Sequence, residues 1–576
     1  MSLPPVDPAV TAEAVAALPA RLRKRLDEAV PQAAAWPVES AGDVVTVRPD
    51  DQVTITLKVP VLVPDDAVCG CLLAPRCLHR AAVLSAAPVH TGEPVPEEPS
   101  TAGATTTVEP TVSAVQEAAA DTLWSAAAAV LANGIPGAGA IAQADLLRAV
   151  HQARATGLHG PAAAAIRVVE RLRAARREDP AFHLADLTDD LREVLAACHR
   201  IKTGDGTAMG TARRDYEPVG DLRLYGLFCE PVRAATGHAG AATYLADATG
   251  RLWVVSDVRP ADQPATAAAV RTSVDLGEVR LNHHALARAG LHAINAHASA
   301  AGRLSHGRAR QAVTASGATW FEAPLDALWQ TGPGAQAARW LTAAALPAGD
   351  RPMAHDLAFL DGTVLGADPH GLLLAIDEQS TGRGLTIAVA APHEDPALPY
   401  VGNLRLLATQ AAGRRIRLIG RFTGPRRVDG LAFAAAWLGP AHGGHVDLGA
   451  TTLIRADLDA PTATPPPGQP SASAEPPPLH LLRHQVERVA AAGRAVLLSG
   501  VDADARRLAA AHLVTASTVL TGLGAAGRQR TRDVFGRLDP HDTHRLAQAW
   551  LTAAVYEHAA RRDTTRQAWT CVDTNH

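Results

Sequence analysis

Lysine is almost missing from this chain. Three occur in 576 residues, Lys24, Lys58 and Lys202. None follows position 202 and none sits in a Gly-x-x-x-x-Gly-Lys loop, which excludes a P-loop nucleotide site. Aromatic residues are also scarce, at 4%, so the cores have to be built from Ala, Leu and Val, a composition that favours helices. No Gly-x-Ser-x-Gly elbow, Rossmann fingerprint or His-Glu-x-x-His pair is read, which removes three common catalytic signatures. A long apolar run is lacking as well. The most apolar window, 123–142, is interrupted by Asn133, Gly134, Pro136 and Gly137 and reads as two helical pieces instead of a membrane span. The opening "MSLPPVDPAV" has no basic region followed by an apolar one, so no signal peptide is expected and the location expected is cytoplasmic. A net charge of −4 gives no overall polyanion-binding signature.

Arginine takes the place of lysine, and with the abundant alanine and proline this is the bias of a GC-rich genome. The length is too great for one core and predicts several domains. The fold class expected is α+β and multi-domain. Residues 1–89 read as N-terminal helix followed by a small ββα module. In it "DVVTV" (43–47) and "QVTITLKV" (52–59) alternate apolar and polar residues around the turn "RPDD", a hairpin signal. "LHRAAVLSA" (78–86) reads as the helix. Residues 90–112 are a Pro/Thr/Glu-rich linker with little to bury. Helical patterns fill 113–210. Residues 211–458 carry strand-like pieces separated by Gly-containing turns, with a helix-like insert near 283–302 and an OB-like unit near 401–440. Residues 459–478 are a second Pro-rich linker, and 479–576 read as helical.

What is present against this background is "CGCLLAPRCLH" (69–79), which holds three of the six cysteines and a histidine. The spacing is Cys69-x-Cys71, five residues, then Cys77-x-His79. Zinc prefers tetrahedral sulfur and nitrogen donors, and Cys₃His is a common structural set. Cys69 and Cys71, at i and i+2 at a strand end, face one side. Cys77 and His79 fit if Cys77 precedes the helix and His79 lies in its first turn. A redox Cys-x-x-Cys is absent. A Cys–His catalytic pair does not need three thiols, and no Asp or Glu lies between the ligands to act as a base, so one closed, structural Zn²⁺ site is expected. Arg76 and Arg80 flank the cluster and are expected to offset its negative charge. The zinc is expected to hold residues of about 40–90 in shape, since so small a unit has little core of its own.

Cys-x-Cys, a spacer and Cys-x-His, placed after a β-hairpin and running into an apolar helix, resembles the SWIM zinc finger. The resemblance implies a ββα unit with Cys69, Cys71, Cys77 and His79 as ligands. The segments 157–195, 216–232 and 243–260 are similar to parts of long SWIM-bearing proteins of actinobacteria. That resemblance carries no catalytic motif and implies protein partners, MoxR-type AAA+ ATPases or von Willebrand A-type proteins among them.

Other candidates are bland by comparison. "RLRKR" (21–25) reads as a solvated helix face. In "GRRIRLIGRFTGPRR" (413–427), Arg415, Arg417 and Arg421 fall on one face of a strand and Ile416, Leu418 and Phe422 on the other. Such a stripe suits nucleic acid, but aromatics for stacking are few, and a solvated face is the plainer expectation. Residues 479–576 carry 13 basic and 9 acidic residues, a net of +4, with Arg528, Arg530 and Arg532 clustered. His283, His284, His292, His297 and His306 have no ligand spacing and are expected to be scattered. Cys198 reads as core beside His199 at a helix end, and "DLTDD" (186–190) as a helix N-cap. The function expected is therefore a zinc-binding, non-enzymatic interaction or scaffold protein. The alternatives are a nucleic-acid-binding protein and an unrecognised enzyme within 211–458.

Overall fold

The computed structural model describes residues 3–50, 52–90, 111–211, 216–233, 238–260, 267–274, 281–305, 311–368, 371–378, 383–458, 478–532, 534 and 539–570. The two expected linkers and His306 lie almost wholly outside them. The chain is mixed, with many helices and several antiparallel sheets. It forms two compact units, Met1–Arg213 with Pro476–Ala560, and Arg214–Glu475 with Arg561–His576. No helix among the described residues is long and apolar enough to cross a membrane.

The first unit opens with α1 (Pro8–Ala16), α2 (Ala20–Arg23) and α3 (Leu26–Ala34), capped at the start by Asp7, whose Oδ1 accepts from Ala9 N at 2.8 Å. The expected hairpin follows as β2 (Val44–Val47) and β3 (Ile55–Lys58), antiparallel with Val47 opposite Ile55. Alternation places Val45, Val47, Ile55 and Leu57 in the core. Two further strands widen the sheet to four: β1 (Val38–Ala41) beside β2 and β4 (Ala67–Cys69) beside β3. β1 is short and exposes Glu39 and Ser40, so it carries no alternation for a sequence reading to catch. Then α4 (Leu78–Ala86) packs between α3, α1 and β4 and fully buries Ala81, Ala82, Val83 and Leu84. Burying a leucine of this kind stabilises by about 1.5–3 kcal/mol. The module thus has a core of its own, closed by α1, α3 and residues Ala140 and Ala144. The core is larger than the sequence reading expects of so small a unit.

Four longer helices pack beside the module: α5 (Ala114–Gly137), α6 (Ala140–Ala155), α7 (His159–Arg176) and α8 (Leu184–Lys202). Asp27 accepts from Ala140 N at 2.6 Å at the start of α6, and Glu170 of α7 accepts from Val89 N at 2.8 Å. Module and helices therefore share one unit. α5 breaks at Gly134, whose φ of +65° and ψ of −177° suit only glycine. A side chain there would also meet Gly493 N. The acidic stretch at 186–190 lies inside α8 and does not cap it. Asp190 pairs with Arg167 at 2.6 Å and Asp186 with Arg171 at 3.1 Å, so these carboxylates tie α8 to α7. The paired cations of α7 outbid the capping role because Asp190 is buried and needs a partner.

The second unit contains two sheets. The first runs β7 (Leu252–Pro260), β6 (His238–Asp247), β5 (Tyr216–Arg233), β8 (Gly290–Ser299), β9 (Gln311–Ala315), with each neighbouring pair antiparallel. The helix expected over 283–302 is only α9 (His283–Leu286); Gly290–Ser299 is strand β8. Its alanines favour helix, but β8 lies between β5 and β9, and the pairing overrides that weak preference. After α10 (Pro333–Ala344) comes the second sheet, with β10 (Leu357–Asp368), β11 (Gly371–Glu378), β12 (Arg383–Ala390), β13 (Arg415–Gly424), β14 (Arg427–Ala434) and β15 (Val446–Asp447). β12 and β14 pair in parallel, from Ala388 opposite Arg427, and β10 pairs with β13, so five strands close into a barrel. α11 (Tyr400–Gln410) joins β12 to β13 and sends Leu404 and Leu407 into its core. The OB-like unit expected near 401–440 falls within this barrel, which begins at Leu357.

The C-terminal helices α12 (His480–Ala492), α13 (Val501–Ala510), α14 (Val514–Arg528) and the first part of α15 (Pro540–Thr570) return to the first unit. There Trp550 is fully buried and donates from Nε1 to Val486 O at 3.0 Å. The last turns of α15 belong to the second unit, where Trp569 donates to Gly424 O at 3.0 Å.

Candidate metal centre

All four residues of the sequence motif meet. One donor atom from each of Cys69, Cys71, Cys77 and His79 lies within 4.8 Å of the others. Cys69 is the last residue of β4, held in register opposite Ile55. Gly70 N donates to Thr54 O at 2.8 Å, which fixes the chain as it leaves the strand and turns Cys71 toward the same side. Cys77 is the N-cap of α4 in extended conformation, and His79 lies in the first turn. The delivery is the one the spacing implies, one pair from a strand end and one from a helix start.

The cluster is prepared for a cation. Cys69 and Cys77 are buried, Cys71 and His79 half-buried. Sγ of Cys77 accepts from Arg80 N at 3.4 Å at the positive end of α4. The thiols of Cys69 and Cys77 share a hydrogen bond that draws the Cys77 pKa down to about 5; burial opposes this and the Arg80 N–H reinforces it. The same contact keeps the proton on Cys69, whose pKa moves up. Metal ligation requires thiolate, and this contact favours the thiolate form of Cys77 over that of Cys69. The buried Nδ1 of His79 has no hydrogen-bond partner. A coordinated ion would satisfy it, so the residues fit a borderline divalent metal with sulfur and nitrogen donors. The His79 ring stands edge-on to Trp36 at 6.1 Å.

Arg80 does something other than offset charge. It is 6% exposed, and its guanidinium donates from Nε to Ala67 O at 2.8 Å and from Nη2 to Pro64 O at 2.7 Å. The side chain clamps the strand carrying Cys69 to the helix carrying Cys77. Arg76 is exposed. Between the ligand pairs, the spacer turns Leu72 and Leu73 outward, at 105% and 55% exposure.

The remaining candidates fall elsewhere. The arginine stripe is real on β13 but occupied. Arg415 and Arg417 pair with Asp361 at 2.7 and 3.3 Å, and Arg421 pairs with Glu230 at 2.8 Å and Asp356 at 3.0 Å. Arg528 pairs with Asp502 at 3.5 Å. Cys198 is core, its thiol pushed up to about 12 by burial. Arg23 of the basic run donates to Ala16 O and Leu18 O. His283 is buried with Nδ1 2.8 Å from Thr243 Oγ1, while His292 is exposed on β8. His284 does not scatter. It meets Cys229 and Asp447 in a second mixed cluster. Sequence reading missed Cys229 and Asp447 because they lie far apart in the chain, and the one local trace is the alternation in His445-Val446-Asp447.

No family model, no curated protein and no solved structure matches the chain.

Proposed function

We propose that Cys69, Cys71, Cys77 and His79 hold one structural zinc ion in a SWIM-like finger, and that the chain is a non-enzymatic interaction protein whose metal loop docks another protein. The observation that carries this is the spacer between the two ligand pairs. It closes the donor set while holding Leu72 and Leu73 away from any core. Four protein donors leave no open position for substrate, which favours a structural role. Exposed leucines on the loop between the ligand pairs favour a protein contact. The paired arginines of β13 weigh against nucleic acid as the ligand of that strand. A MoxR-type AAA+ ATPase or a von Willebrand A-type protein, the partners implied by the resemblance, is the first to try. The test is affinity capture with the full chain, comparing wild type, a Leu72→Ser/Leu73→Ser variant and chelated protein. The reading expects a partner retained by wild type and lost from both others. Capture indifferent to the leucines and to chelation would contradict it.

A further inference from the structure

The second unit brings together a thiol, an imidazole and a carboxylate at a place that no local motif marks. Cys229 lies on β5, His284 on α9 and Asp447 on β15. One donor atom from each lies within 4.8 Å of the others. Cys229 and Asp447 are fully buried, whereas the His284 side chain is 37% exposed and gives an ion a way in. We propose that these three residues form a second metal site, for a borderline divalent ion of the zinc type.

The distances are those of a coordination shell. Sγ of Cys229 lies 3.5 Å from Asp447 Oδ2, and Nδ1 of His284 lies 3.3 Å from the same oxygen. Zinc bonds of ~2.3 Å to sulfur and ~2.0 Å to nitrogen and oxygen, at tetrahedral angles, put sulfur and oxygen about 3.5 Å apart and nitrogen and oxygen about 3.3 Å apart. The carboxylate is also oriented for ligation. Its Oδ1 accepts from Cys229 N at 3.0 Å, which leaves Oδ2 facing the thiol and the imidazole. Beside Oδ1, at 3.3 Å, stands Nε2 of His445, 3% exposed and with no hydrogen bond of its own. The stacked indole of Trp320, 5.1 Å away, holds that ring in place.

Arg288 is the competing cation. Its Nη1 lies 2.7 Å from Asp447 Oδ2 and 3.2 Å from His284 Nδ1. The guanidinium is also tied to backbone carbonyls of His284, His442 and His445 at 3.1, 3.2 and 2.8 Å. It can therefore release Nδ1 to an ion and remain anchored as a neighbour of the carboxylate. Binding forms bonds from the ion to sulfur, nitrogen and oxygen and releases the thiol proton to solvent. Three protein donors leave a fourth position for water or an added ligand.

The test is cobalt titration of the full chain in a Cys77→Ser background, which removes a thiolate of the first centre. About one cobalt per chain is expected, with a thiolate charge-transfer band. Adding Cys229→Ala should abolish the band, and adding His284→Gln should weaken binding at least tenfold. His284 is partly exposed, so that variant is expected to fold, with circular dichroism as the check. A Cys77→Ser chain that takes up no cobalt would overturn the proposal, as would unchanged binding after His284→Gln. The two centres fail separately. If only the first exists, wild type holds one ion and Cys77→Ser none. If only the second exists, one ion survives Cys77→Ser and is lost with Cys229→Ala.

Discussion

Replacing Cys77 separates two roles that one atom plays. Its Sγ is a donor of the metal cluster and also the N-cap acceptor for Arg80 N in α4. Serine keeps a capping oxygen and loses the thiolate, and alanine loses both. A lost N-cap costs about 1 kcal/mol. Zinc bound at 1,000 times its dissociation constant stabilises by about 4 kcal/mol. With chelator present, wild type and Cys77→Ser should therefore be nearly equal and Cys77→Ala about 1 kcal/mol weaker. With zinc present, wild type should exceed both variants by about 4 kcal/mol or more. The loss should also be local. Ile55, Leu57, Ala81, Val83 and Leu84 are fully buried and supply no donor atom to the cluster, so the sheet should persist while residues 69–79 loosen. Amide hydrogen exchange over 55–58 and 69–86, read with and without chelator alongside thermal unfolding, measures each quantity. Identical protection of 69–79 in chelated and zinc-loaded wild type would refute the reasoning.

Three further outcomes follow from the packing. Burial raises the Asp429 carboxyl to about 6, against the opposing pull of Arg421 and Arg427 and with Glu230 adding to it. A raised acid is bound more tightly by its proton in the fold, so its contribution is fully present below pH 3.8 and is lost as pH rises through 6. Asp429→Asn should then stabilise the second unit by up to about 3 kcal/mol at pH 8 and by almost nothing near pH 4; a constant difference across pH would contradict this. Gly134→Ala should cost about 3 kcal/mol or more in the first unit, from the glycine-only backbone angle and the approach to Gly493, and chemical denaturation that detects no loss would count against the kink. Asp190→Ala leaves Arg167 half-buried without its closest carboxylate and should lower stability by about 1–3 kcal/mol. Arg167 keeps Glu193 at 2.9 Å, so the loss should stay within that range, and chemical denaturation that detects none would count against the Asp190 pair.

The metal cluster was legible because its four donors lie within eleven residues, between a hairpin marked by alternation and a helix marked by its apolar run; β4, the three-residue strand that carries Cys69, is too short to show alternation. Strand alternation also showed β2, β3 and β13. What stayed hidden has physical causes. β8 is built largely of alanine and histidine, so only pairing with β5 and β9 makes it a strand. The carboxylates at 186–190 look like a cap until α7 brings Arg167 and Arg171 beside them. The arginines of β13 look free until Asp361, Asp356 and Glu230 arrive from other strands and loops. Cys229, His284 and Asp447 share no local spacing, and only the juxtaposition of β5, α9 and β15 joins them.

Native mass spectrometry of the full chain, purified without added metal or chelator, tests the central claim most directly. Wild type and Cys77→Ser should differ by one zinc ion per chain. Equal zinc in the two proteins, or none in wild type, would contradict the account.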